Sequence, residues 1–186
     1  MNRITKILQS LYAGLSLLYI NNFLRHKGIA TNEYSKEYLS FKLYDMNWDL
    51  SYEKGRFGLR VTFDLGDDFD KLCMLQSVNK LNNDRWIVKA FIDKRIVKDN
   101  NEKEYCKTSI IFSFESFCYS KSEFKKLYEF AIYAMTDGLE FHRKCYRELL
   151  EEKNKIQSNP SIGFHSEQNK KDGVDNSNRP RIGFYH

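Results

Sequence analysis

With 186 residues, 41% of them hydrophobic and 15% aromatic, the chain can form one domain with a real core and a tail. The net charge of +5 is modest, and the stretch from Lys153 onward holds more than half of it: Lys153, Lys155, Lys170, Lys171, Arg179 and Arg181 stand against Glu167, Asp172 and Asp175. The body is nearly neutral, so charge gives no ground for a nucleic-acid face, and no specific nucleic acid is expected as a partner.

Residues 3–26 read as a helix. Ile4, Ile7, Leu8, Leu11, Leu15, Leu18 and Asn22 fall on one face, and Gly28 is a plausible stop. Arg3 and Lys6 before the apolar run 7–20 have the outline of a targeting segment. Gln9 and Ser10 interrupt that run, no small-residue cleavage site follows, and it is too short to span a bilayer. A core helix is therefore expected, and no membrane partner.

After a polar connection the period changes to two. Over residues 41–52, Tyr44, Met46, Trp48, Leu50 and Tyr52 share a face and alternate with Asp45, Asn47, Asp49 and Ser51. Glu53-Lys54-Gly55-Arg56 reads as a hairpin turn. Phe57, Leu59, Val61, Phe63 and Leu65 then alternate with Gly58, Arg60, Thr62 and Asp64, as in a strand with one face in a core and one in water. Gly66-Asp67-Asp68 is expected to end this strand and cap a short helix, with Phe69, Leu72, Cys73 and Gln76 on one side and Met74, Val78 and Leu81 adjacent. Two further strands follow. Residues 86–97 place Trp86, Val88, Ala90 and Ile92 on one face, and residues 105–118 do the same with Ile110, Phe112 and Phe114. The polar loop 99–103 joins them.

A long helix closes the domain. Ser120 and Glu123 have the Ser-x-x-Glu spacing of a capping box. Phe124, Leu127, Tyr128, Ala131, Met135, Leu139, Tyr146 and Leu149 form a stripe that needs burial. Beyond Gly138, a candidate bend, charges take over, and a partly exposed extension is expected.

The fold class is thus α+β: an antiparallel sheet of four to five strands in two hairpins, flanked by an N-terminal helix, a short middle helix and a long C-terminal helix. Residues 1–155 form the domain and 156–186 a flexible tail. The order resembles the type III secretion chaperone-like fold, including the YbjN-like family, over about residues 3–150. The resemblance lies in element order. That family has three strands before the middle helix; here the third would come from splitting residues 38–52.

No constellation for catalysis is found. There is no Gly-rich phosphate loop, G-x-S-x-G elbow or H-E-x-x-H pair. His142-x-x-Cys145 has a metal-like spacing on one helix face, but zinc needs three or four ligands, so no metal and no cofactor are expected. Asp45, Asp49 and Asp64 fall on the wet strand face, where carboxylates are ordinary. Phe91 lies opposite Trp86, and a helix layer or a dimer partner is expected over it. Cys73, Cys106, Cys118 and Cys145 are far apart in sequence and read as free thiols of a reducing, cytoplasmic compartment.

The tail carries the one unusual signal. In a stretch of Asn, Ser, Lys, Gly and Asp stand two islands, Pro160-Ser161-Ile162-Gly163-Phe164-His165 and Pro180-Arg181-Ile182-Gly183-Phe184-Tyr185. Ile162, Gly163, Phe164, Ile182, Gly183, Phe184 and Tyr185 are candidate partner-binding residues: a short motif presented twice for avidity. The other reading is that the islands fold back over apolar surface of their own domain. The leading expectation is a non-enzymatic, chaperone-like or adaptor-like protein-binding module, a homodimer. The alternative is an immunity or inhibitor protein that neutralises a partner enzyme.

Overall fold

The computed structural model describes residues 15–66, 68–98 and 102–158. Helix α1 (Leu17–His26) is followed by strands β1 (Thr31–Glu33), β2 (Tyr38–Leu43), β3 (Met46–Glu53) and β4 (Arg56–Leu65). Helix α2 (Lys71–Asp84), strands β5 (Lys89–Lys98) and β6 (Glu104–Phe117), and helix α3 (Lys121–Ser158) complete the order. The six strands form one antiparallel sheet in the order β1-β2-β3-β4-β6-β5.

The expected α+β architecture holds, with two corrections to the strand count. The short β1 joins the edge of the sheet, and the segment read as one strand over 41–52 is two. It divides at Tyr44 and Asp45, both in the left-handed region (φ 53° and 59°), with Leu43 facing Met46 across the turn. Positive φ at both central residues is the type I′ geometry that matches strand twist. Tyr44 therefore sits exposed at a hairpin tip and not on the inward face. Lys54 and Gly55 repeat the geometry (φ 48° and 85°) where the hairpin turn between β3 and β4 was expected.

One sheet face carries the core. Leu39, Phe41, Trp48, Leu50, Tyr52, Phe57, Leu59, Val61, Ala90, Ile110, Phe112 and Phe114 are buried there, beneath Leu17, Ile20 and Leu24 of α1 and Phe124, Tyr128, Ala131, Met135 and Leu139 of α3. Burial of each large side chain contributes about 1.5–3 kcal/mol. The capping box forms as its spacing implies: Glu123 N–H donates to Ser120 Oγ (3.2 Å), and Ser120 N–H donates to the Glu123 carboxylate (3.0 Å).

Other boundaries differ from expectation. Ser16 is extended and accepts from Tyr19 N–H as the N-cap of α1, so the chain is not helical at Leu15–Ser16. The helical positions expected at Ile4, Ile7, Leu8 and Leu11 lie outside the described residues. Helix α2 is capped by Asp70, which accepts from Cys73 N–H (2.9 Å), and not by Gly66–Asp68. Its buried face is accordingly Cys73, Met74, Ser77, Val78 and Leu81, while Leu72 and Gln76 face water. Trp86 precedes β5 and is exposed, whereas Val88 and Ala90 point inward as expected.

The part of α3 beyond Gly138 is less free than its charges suggest. His142 and Cys145 are buried against α2, and Tyr146 and Lys153 both reach Asp70. Gly138 provides the close approach needed here, because an added Cβ would lie 3.1 Å from Val88 Cγ1.

Candidate functional site

Helix α3 offers water a face that is not polar. Its inner stripe is committed to the sheet, yet Phe130 and Tyr133 on the outer side are exposed, Tyr133 at 71%. Tyr133 forms a crest, and an apolar groove runs along each side of it.

The first groove, of about 760 Å³, lies between α3, the end of α1 and the β2–β3 turn. Its position follows from two local devices. Gly28, at φ 77°, ends α1, and Ile29 N–H returns to Leu24 O (3.0 Å), which sets Ile29 and Lys27 at the groove wall. The left-handed Tyr44 brings its ring to the opposite rim, beside Leu43. A bulky residue at positive φ is costly, about 1–2 kcal/mol, and such strain concentrates at functional positions. Tyr128, Ile132 and Thr136 form the α3 wall, and Lys27 pairs with Glu129 at the rim (3.3 Å).

Tyr128 is 4% exposed, and its hydroxyl finds no partner among the described residues. A buried hydroxyl without a partner costs about 1–3 kcal/mol. Burial pushes its pKa up to about 12, with small additions from Tyr44 and Glu129, so it remains an O–H donor.

The second groove, of about 200 Å³, lies between α3 and the segment joining α2 to β5. Trp86, Ile87 and Val88 face Phe130, Tyr133 and Ala134 across it, and Arg85 pairs with Asp137 at its edge (3.0 Å). Trp86 is 80% exposed. Exposed aromatic side chains grouped around grooves and rimmed by charge have the character of an interaction site.

The remaining expected positions are dispersed. Asp45 is at the exposed hairpin tip. Asp49 and Asp64 share the rim of a hollow on the open sheet face with Thr62, Arg95, Lys107 and Ser109. Burial raises the Asp49 pKa against the pull of Arg60, while the Lys107 ammonium (2.8 Å) and Ser109 (3.0 Å) lower that of Asp64. The pKa values of the two carboxylates are thus shifted in opposite directions, by burial at Asp49 and by Lys107 at Asp64. Phe91 is partly exposed on this face, with no helix over it among the described residues. His142 is buried, 3.0 Å from Ser77, and no group of three metal-ligating side chains gathers among the described residues. All four cysteines are free, Cys106 exposed and the others buried. No helix of the described residues is long and apolar enough to cross a membrane. The island residues Ile162, Gly163, Phe164, Ile182, Gly183, Phe184 and Tyr185 lie outside the described residues.

The two grooves escaped the sequence reading. Phe130, Tyr133 and Trp86 are apolar residues in apolar-rich segments, and periodicity alone does not set them apart from core residues. The signal that could have found them is surplus: α3 has more aromatic positions than one buried stripe can hold.

No family model matches the chain, and no curated protein matches it in sequence. Among solved structures it is similar to the crystal structure of YbjN from E. coli, at a TM-score of 0.48 and 12% identity, over 75% of this chain and 94% of that chain.

Proposed function

We propose that the protein is a non-enzymatic protein-binding module, adaptor-like or chaperone-like, whose docking surface is the outer face of α3 with its two flanking grooves. The observation that carries this reading is the exposed aromatic row Tyr44, Tyr133, Phe130 and Trp86 around grooves that a protein segment can enter. Aromatic side chains on rigid elements bind at low entropic cost, and such residues dominate interface energetics. The tail islands Ile162-Gly163-Phe164 and Ile182-Gly183-Phe184 are the second half of the reading: short docking segments for grooves of this kind. A second copy of the chain over Phe91 would complete a homodimer.

The test compares proteins retained by the intact chain and by three variants, followed by rebinding of the purified partner. Trp86→Ser and Tyr133→Ser should each weaken rebinding at least tenfold, while Phe91→Ser, on the opposite face, retains it. Equal retention by all three variants would remove the α3 face from the function. A recovered enzyme that loses activity on binding would turn the reading toward an inhibitor.

A further inference from the structure

Two observations bear on what fills the groove beside the β2–β3 turn. It is apolar, with Ile29, Leu43, Ile132 and Tyr133 in its walls. Its rim carries the exposed Glu129 carboxylate, paired with Lys27 among the described residues, and an arginine forks onto a carboxylate better than lysine does.

The chain beyond Ser158 contains a segment that matches each of these. Ile182-Gly183-Phe184-Tyr185 supplies apolar side chains around a glycine that permits close backbone approach, and Arg181 precedes them. The first island has Ser161 where the second has Arg181. Reach separates them further. Ile132 lies about 40 Å back along α3 from Ser158, at 1.5 Å per residue. Ile162 is about four residues past the helix end and can travel at most roughly 14 Å, whereas Ile182, about 24 residues past it, can travel up to roughly 80 Å.

We infer that the second island docks in the turn-side groove of its own chain, with its apolar side chains along the groove and Arg181 against Glu129. The island then competes with any partner for that groove, and the first island, which cannot reach it, stays available to other chains. This rests on the reading of α3 as a docking surface and assigns one of its two grooves a resident.

The full chain carrying p-benzoylphenylalanine in place of Tyr44 tests it. Irradiated at low micromolar concentration, it should cross-link within the monomer to the peptide spanning residues 180–186. Phe184→Ser should lower the yield at least fivefold and Arg181→Glu about threefold, the latter restored by Glu129→Arg, while Phe164→Ser leaves it unchanged. Without a probe, hydrogen exchange over residues 43–46 and 128–136 should accelerate in Phe184→Ser and not in Phe164→Ser. Links to residues 1–14 or 160–165, links between chains, no link, or unchanged exchange would each overturn the inference. Partner binding that still depends on Trp86 and Tyr133 in those cases would leave the docking reading standing.

Discussion

His142 and Ser77 meet at 3.0 Å, imidazole Nε2 to hydroxyl oxygen, inside the seam where α3 lies along α2. The Ser77 hydroxyl has one proton and donates it to Met74 O (2.8 Å), so toward the imidazole it accepts, and Nε2 carries the hydrogen. Phe112 meets the ring edge-on at 5.2 Å, and Tyr146 lies parallel to it at 6.4 Å. Nothing in this arrangement welcomes a second proton. Burial, with a smaller push from Arg143, lowers the His142 pKa to about 4.

The consequence is a stability that depends on pH. The unfolded chain takes up this proton near pH 6.5 and the folded chain only near 4, so the unfolded state binds more protons between those values. The contribution is complete above about pH 6.5, falls through that window as pH falls, and amounts to roughly 3 kcal/mol. Chemical denaturation from pH 7.5 to 4 should show this decline, and His142→Gln should flatten it. A parallel decline in the variant would assign it elsewhere. Asp70, held to about 2 chiefly by Cys73 N–H and by Lys153, contributes only to a further loss below about pH 4.

Phe112→Ala tests the core itself. Phe112 is 1% exposed and touches both Phe63 and His142. Lost burial and the residual cavity should cost about 3–5 kcal/mol in chemical denaturation. A loss under about 1 kcal/mol would contradict this packing.

Gly138 and Val88 should be energetically coupled. In an open helix Gly→Ala gains about 1 kcal/mol. Here the new methyl would press on Val88, so Gly138→Ala alone should gain little or destabilise. In a Val88→Ala background the same change should recover a gain of about 0.5–1 kcal/mol. Additivity in the four-protein cycle would mean the two side chains do not meet.

Tyr44 should show a trade of stability for binding. Asn tolerates the left-handed turn position better, so Tyr44→Asn should raise stability by up to about 1 kcal/mol. It also removes one rim of the turn-side groove, and affinity for a docked segment should drop several-fold. Gain in both properties would separate Tyr44 from the docking surface.

The first island gives the sharpest contrast between partner docking and folding back. Phe164→Ala should weaken partner binding by about 1–3 kcal/mol and shift domain stability by less than about 0.5 kcal/mol. The fold-back reading requires the opposite pair of results, and measuring both on one variant decides.

Much of the fold was legible because alternation and caps are local. The run Phe57 to Leu65 and the Ser120–Glu123 box describe β4 and the start of α3 without tertiary knowledge. The β2–β3 turn was missed because no Gly or Asn marks it. A subtler mark was present: inward residues are odd-numbered at Leu39 and Phe41 and even-numbered at Trp48 and Leu50, a switch that one continuous strand cannot make. The α2 face was read in part: Cys73, Met74, Val78 and Leu81 are buried as their spacing suggests, but Leu72 and Gln76 face water, and the cap is Asp70. The candidate docking surface was illegible for a different reason. An exposed Trp86 and a buried Trp48 look alike in sequence, and only the end of α2 at Asp84 puts the first in water.

The strand order has a kinetic corollary. Among the described strands, β1 to β4 pair only with sequence neighbours until β4 meets β6, where ten residue pairs from Arg56–Phe117 to Leu65–Thr108 bracket all of α2 and β5. Each hairpin group can zip from its own turn, in microseconds. The β4–β6 seam cannot, because closing it first requires ordering the intervening chain. Joining these two halves is therefore the step expected to set the folding rate, and until it occurs the inner edges of β4 and β6 would stand unpaired, the interval in which pairing with another copy of the chain is most expected.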